Sequence, residues 1–454
     1  MDGGETIANE KAYPIVESLK KMSWFRWVVA ALIFIVYTIA AADRANIGVA
    51  LPFIRKEFPM SNTEAGAIAS AFLIGYSIFQ MPAGFSLSKW GVSRIFSVGL
   101  AVTSIFTGLI GTSSSPLMMK VFRFGLGMAE APLGVGIPAT INSWFPPKEK
   151  ATAAGIFFAA AKFGPVIVPP LSAIIVQAFG WREIFYFFAI PGLILAAIWY
   201  WLVKNDPAQS PYCNELEVQY IKTEKATAKQ DGSSLDADFA PMWMDKLIRT
   251  RPVKRLDTNK SIFLSWDIIG IALGFFFIIG IVNVILTWIP TYLMSVKNYP
   301  IMKMGIVASM PWIGGVVGNL IGGWCSDRVF KKRRKPTMLI TAFFTCFMTY
   351  ALTFAPNDAV WLSILLFTMG VMLNIGYGAF VVYAMPLTTK EKYPIAYSFI
   401  NTLGQFGGAC APLLTGIILD NYNWDAVFIF MSVYSALCFV VLLTVVEPME
   451  ERPI

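Results

Sequence analysis

Predominantly apolar runs of about 20 residues, the length needed to cross the hydrocarbon core of a bilayer as a helix, recur twelve times in this 454-residue chain. They fall near 24–50, 62–87, 92–112, 115–141, 150–178 and 183–203, and again near 262–291, 301–325, 336–355, 359–385, 393–419 and 425–446. The reading is an all-α membrane protein of twelve transmembrane helices in two six-helix bundles. Residues 24–203 form the first bundle and 261–446 the second. A polar tail over 1–23, a linker over 204–260 and a tail over 447–454 complete the chain. The first run lacks a small-residue cleavage pattern, so it reads as a retained span. The linker is polar, with a short amphipathic helix expected around Met242–Ile248.

Composition agrees with a polytopic membrane protein: 56% hydrophobic residues, 14% charged, mean hydropathy +0.61. The net charge of +8 does not indicate nucleic acid, because the cations sit in short segments between apolar runs. Lys89, Arg94, Lys148, Lys150, Arg328, Lys331–Lys335, Lys390 and Lys392 fall in alternate loops, and the opposite loops carry few. Under the positive-inside rule the basic loops, and with them both termini, are cytoplasmic. Five cysteines without a CxxC or Cys/His cluster read as structural thiols, so no metal site is expected. A phosphate-binding glycine loop of the kind that powers ATP-driven pumps is absent.

The two halves repeat. Lys162-Phe-Gly-Pro-Val-Ile-Val-Pro169 aligns with Gln405-Phe-Gly-Gly-Ala-Cys-Ala-Pro412, and Trp181-Arg-Glu-Ile-Phe with Trp424-Asp-Ala-Val-Phe. Lys148-Glu-Lys150 echoes Lys390-Glu-Lys392, and Ala83–Lys89 echoes Gly322–Arg328. Parallel repeats of this kind place a substrate site between the halves, near the bilayer midplane.

Gly322-Gly-Trp-Cys-Ser-Asp-Arg328 followed by a basic run resembles the cytoplasmic loop signature of the major facilitator superfamily. Ala42-Asp-Arg-Ala-Asn46, Glu130-Ala-Pro, Ser143-Trp-Phe-Pro and Thr287-Trp-Ile-Pro-Thr-Tyr-Leu resemble its anion:cation symporter family, which includes sialin-like and sugar-acid carriers. The resemblance covers nearly the whole chain except the tail and linker. It implies a monomeric carrier in a plasma membrane, here a bacterial inner membrane, with a small organic anion and protons as partners and no cofactor. It also implies that Asp43 and Glu130 couple proton to anion, and that Asp327 and Arg328 form a cytoplasmic gate motif. Two departures stand out: Ser88 replaces the acid expected in the first-half loop, and Ala41 replaces a tyrosine found in several sugar-acid carriers.

The residues themselves carry the same chemistry. Asp43 and Glu130 lie inside apolar runs, where a charge costs roughly 2.5–3.5 kcal/mol on insertion scales and therefore marks function. The chain has no histidine, so proton movement falls to carboxylates. Arg44 offers a planar fork that matches a carboxylate. Arg123 is placed to pair with Asp43, and Glu130 lies deeper, among apolar neighbours. Lys162, midway along the fifth span, is either a second cation for substrate or a counter-ion to Glu130. Tyr76, Asn374, Tyr377, Asn401 and Gln405 suit a hydroxylated ligand, and Asn283 is a weaker candidate. The resulting expectation is a proton-coupled importer of a sugar acid, a hexonate or hexuronate. A dicarboxylate importer is the alternative within the class, and a drug-exporting antiporter the alternative outside it.

Overall fold

The computed structural model describes residues 22–230, 243–246, 248–253, 255–389 and 391–449. The N-terminal tail to residue 21 and the last five residues lie outside the described set, as does part of the segment expected as an amphipathic helix around Met242–Ile248. Twelve helical spans long and apolar enough to cross a membrane are present among the described residues. In the first half they are α1 (Phe25–Glu57), α2 (Asn62–Trp90), α3 (Val92–Gly111), α4 (Pro116–Trp144), α5 (Pro147–Phe179) and α6 (Trp181–Leu202). A linker helix, α7 (Glu215–Gln230), and a short helix, α8 (Asn259–Leu264), precede the second half. There the spans are α9 (Trp266–Ser295), α10 (Ile301–Trp324), α11 (Lys335–Ala351), the broken span α12–α13–α14 (Ala359–Ile375, Tyr377–Val382, Ala384–Leu387), α15 (Tyr393–Asn421) and α16 (Trp424–Thr444).

Local chemistry sets the boundaries. Ser61 caps α2, accepting from the Glu64 amide while the Glu64 carboxylate reaches back to Ser61. Ser115, Asp358 and Asn423 cap α4, α12 and α16 through their side-chain oxygens. Gly91 and Gly180, both at positive φ, separate neighbouring helices by a single residue.

Both described chain ends lie on one face, termed here the near face. Described parts of the linker pack there against both halves. Its first part clasps the first half: Glu217 accepts hydrogen bonds from Ser23 Oγ, from the Phe25 and Arg26 amides at 3.0 and 3.2 Å, and from Arg26 Nη1 at 2.8 Å. Arg26 also pairs with Glu149 at 2.7 Å. A linker carboxylate thus caps the start of α1, where helix N–H groups lack partners. Burial alone would push the Glu217 carboxyl up, but these donors bring it net below the ordinary glutamate range. The linker's far part joins the second half. There β1 (Thr250–Pro252) pairs in parallel with β2 (Glu447–Met449), and Arg333 pairs with Asp245 at 2.6 Å. Helix α7 is rich in Glu, Lys, Ala and Gln, which favour a helix, and it buries Ile221.

The two halves meet along α2 with α15, α5 with α10 and α1 with α9. At the face opposite the termini the contact is backbone against backbone. A Cβ on Gly48 would stand 2.2 Å from the Leu286 carbonyl oxygen, so only glycine permits that approach. Asp420, at the end of α15, accepts the amides of Asn62 and Thr63 at 2.8 Å each. It also takes their side chains, at 2.8 and 2.6 Å. These contacts hold the two halves together at the far face.

Candidate functional site

Within the twelve spans, five charged side chains among the described residues lie seven or more residues from both ends of their helices: Asp43 and Arg44 on α1, Arg123 and Glu130 on α4, and Lys162 on α5. All five belong to the first half. The second half faces them with neutral groups: Asn283, Asn374, Tyr377, Tyr397, Asn401 and Gln405.

Arg44 is bound to Glu130, with Nε at 2.8 Å and Nη2 at 2.6 Å from the same oxygen, Oε1. The other carboxylate oxygen, Oε2, is buried without a hydrogen-bond partner. Glu130 is fully buried, whereas 21% of the Arg44 side chain is exposed. Part of Arg44 is therefore accessible while Glu130 is shielded. The guanidinium lies 4.8 Å from the Tyr76 ring centroid and 5.5 Å from that of Phe72, which also carries Arg123 at 5.0 Å. These aromatic faces support both cations.

Arg123 does not form the expected ion pair with the Asp43 carboxylate. Its Nη1 donates instead to the Asp43 main-chain carbonyl at 2.9 Å. The side chain comes across from α4 and meets the α1 backbone first. Asp43 is buried, with Asn46 Nδ2 at 3.4 Å and no ion pair among the described residues.

Lys162 does not pair with Glu130: its amine is directed across the interface instead. Its Nζ donates to Asn374 Oδ1 across the interface at 2.7 Å and lies 4.3 Å from the Tyr377 ring centroid. Asn374 Nδ2 donates to the Gly370 carbonyl at 2.9 Å, which turns the amide oxygen toward Lys162. Asn374 and Tyr377 flank the break in the tenth span at Gly376. That break is held by a 2.6 Å bond from the Gly376 amide to Thr341 Oγ1. Gly164, two residues after Lys162, packs against Thr38 and Ala41, and a Cβ there would stand 2.8 Å from both. Close approach of α5 to α1 thus fixes the level of Lys162 along α1, while its side chain, about 200° round the helix from Gly164, turns to the second half.

A second crossing bond runs from Asn401 Nδ2 to Gln80 Oε1 at 3.1 Å. Gln405, the repeat mate of Lys162, is half-buried on α15. Tyr37, one α1 face below Arg44 and within electrostatic reach of Arg44 and Tyr76, escaped the sequence reading, as did Gln80. Tyr37 sits among ordinary apolar residues, and only the seven-residue spacing to Arg44, two helical turns, could have flagged it. In the near-face motif Asp327 pairs with Arg334 at 2.8 Å, while Arg328 is exposed. Among the described residues Ser88 bonds only its own turn, to the Phe85 carbonyl at 2.8 Å.

Two duplicated helical halves around a buried, charged, two-sided polar site define a multi-pass membrane transporter. The comparisons agree. The family model of the Major Facilitator Superfamily matches residues 33–409 and 332–454. The "Probable galactarate/D-glucarate transporter GudP" of Bacillus subtilis (strain 168) is 27% identical over 96% of this chain and 95% of its own length. The "Probable galactarate/D-glucarate transporter GarP" of Escherichia coli (strain K12) is 29% identical over 95% and 97%. The "Hexuronate transporter" of Bacillus subtilis (strain 168) is 25% identical over 94% and 96%. Among solved structures, an inward-facing, unoccupied bacterial homologue of the human lysosomal transporter Spinster superposes with a TM-score of 0.72 at 15% identity, covering 92% of this chain and 96% of that one. A D-xylose-proton symporter gives 0.68 at 16% identity, covering 92% and 96%. The chain belongs to the Major Facilitator Superfamily. Its relatives and fold are those of transporters and not of enzymes.

Proposed function

We propose that this carrier imports a sugar acid together with protons across the plasma membrane, with both termini in the cytoplasm. The observation that carries the reading is the Arg44–Glu130 pair, in which a substrate-accessible cation is held by a buried acid that keeps one oxygen free. Protonation of Glu130 weakens its hold on Arg44, because a charge-assisted bond becomes a neutral one. The freed fork then takes the substrate carboxylate. Proton and anion thus help each other bind, which is the linkage a symporter needs. Asp43, one residue earlier on α1, supplies a second buried acid for the same cycle. Tyr37, Tyr76, Tyr377, Asn401, Gln80 and Gln405 take the hydroxyls. The curated relatives named as galactarate/glucarate and hexuronate transporters support the substrate class.

The test is uptake of labelled galactarate, galactonate and glucuronate into proteoliposomes under an imposed pH gradient. Accumulation of at least one that collapses with a protonophore supports the reading. Accumulation insensitive to the protonophore, or uptake of none, refutes it.

A further inference from the structure

Lys162 leaves the buried charges unbalanced. With both acids ionised, Arg44, Arg123 and Lys162 carry three positive charges against two negative ones on Asp43 and Glu130. Arg44 has its acid. Among the described residues, Lys162 has only the neutral Asn374 oxygen and the face of Tyr377. An ammonium at this depth gains far more from a carboxylate than from an amide, since bonds between ionised partners are roughly twice as strong. The cost of leaving it without an anion is what makes such residues rare in spans.

From these observations we infer that the transported sugar acid carries two anionic groups, one held by Arg44 and the other by Lys162. The inference rests on the sugar-acid reading of the same site and narrows it to a six-carbon or similar diacid. The spacing is compatible. Gly164 sets α5 against Thr38 and Ala41 of α1. From the level of Thr38 to Arg44 is six residues, about 9 Å along a helix. The end carbons of an extended six-carbon chain lie about 6 Å apart on ordinary C–C geometry, and the two long side chains span the remainder. Asn374 plays a placeholder part: its oxygen is aimed at Lys162 by the Gly370 bond. It occupies the ammonium when the site is empty and yields to the second carboxylate. A dianion entering with one proton brings the buried sum from plus one to zero, whereas a monoanion entering with one proton leaves it at plus one.

The experiment uses the purified full-length carrier in nanodiscs with three probes. Galactarate and galactonate share their hydroxyl configuration and differ in the second carboxylate. Adipate has both carboxylates and no hydroxyls. Affinities are read by calorimetry or ligand-induced melting shifts for wild type and Lys162→Gln, and the ligand-free melting temperature checks the fold of the variant. The expected result is at least a tenfold preference of wild type for galactarate over galactonate. In Lys162→Gln that preference should vanish through lost galactarate affinity, with galactonate changed less than threefold. Equal wild-type affinities for the two, or an equal loss of both in the variant, overturns the inference while leaving the sugar-acid reading intact. Adipate binding as tightly as galactarate, with the same dependence on Lys162, upholds the two-anion site and removes the sugar-acid reading. Binding of none of the three overturns both.

Discussion

Glu130→Gln isolates the coupling step. The glutamine keeps the shape of the protonated acid and cannot ionise, so Arg44 faces a neutral partner at every pH. In wild type the fork grips one carboxylate oxygen through two contacts of 2.8 and 2.6 Å. A hydrogen bond to a charged group is worth about 1.5–3 kcal/mol against about 0.5–1.5 for a neutral one. Removing the charge therefore spares an incoming carboxylate about 1–1.5 kcal/mol of competition, close to tenfold in affinity. At alkaline pH the variant should bind its sugar acid about tenfold more tightly than wild type. As the pH falls, wild type should gain affinity and approach the variant. In proteoliposomes the variant should still exchange substrate for substrate but should not concentrate it under a pH gradient alone. Weaker alkaline binding by the variant, or pH-driven accumulation that survives, would refute the proposed competition.

Other perturbations test separate parts of the structure. Arg44→Lys keeps the charge and loses the planar fork, so substrate affinity should fall at least tenfold by calorimetry; an unchanged affinity would remove Arg44 from the site. Asp420→Ala deletes four bonds at the far face and should raise thiol labelling of a cysteine introduced on the far-face side of the site, whereas unchanged labelling would mean that the glycine contacts alone hold the halves together there. Glu217→Gln weakens the clasp on Arg26, at a cost on the order of 3 kcal/mol, and should lower the melting temperature at pH 7. Because the donors hold the folded Glu217 pKa below its unfolded value, that contribution is complete above the ordinary glutamate range and lost as pH falls through the folded value. The gap between variant and wild type should therefore close toward acid, and a gap constant down to pH 3 would contradict the assignment.

The helices were legible because hydropathy and length report directly on membrane spans, and Ser61, Ser115, Asp358 and Asn423 mark the starts of their helices in plain sight. The candidate residues were legible for a related reason: a charge within an apolar run has few bland explanations. Pairing was not. Whether Glu130 meets Arg44, Arg123 or Lys162 depends on helix rotation and on close approaches such as Gly164 against Thr38, which leave no periodic trace. The linker's contacts left no trace in the sequence either, because they are made to partners distant along the chain, with Glu217 reaching Arg26 and Thr250–Pro252 pairing with Glu447–Met449.

The confinement of all deep charges to the first half bears on how the membrane potential acts. A potential of 100 mV does about 2.3 kcal/mol of work on each elementary charge that crosses it. Among the described residues the second half carries its charges near the ends of its spans and only dipoles at the depth of the site, so its rocking alone moves little charge through the middle of that field. Voltage sensitivity of the empty carrier must then originate in residues between Asp43 and Lys162. A hybrid that joins this first half to the second half of another carrier should keep the voltage response of the parent while taking up different hydroxyl preferences.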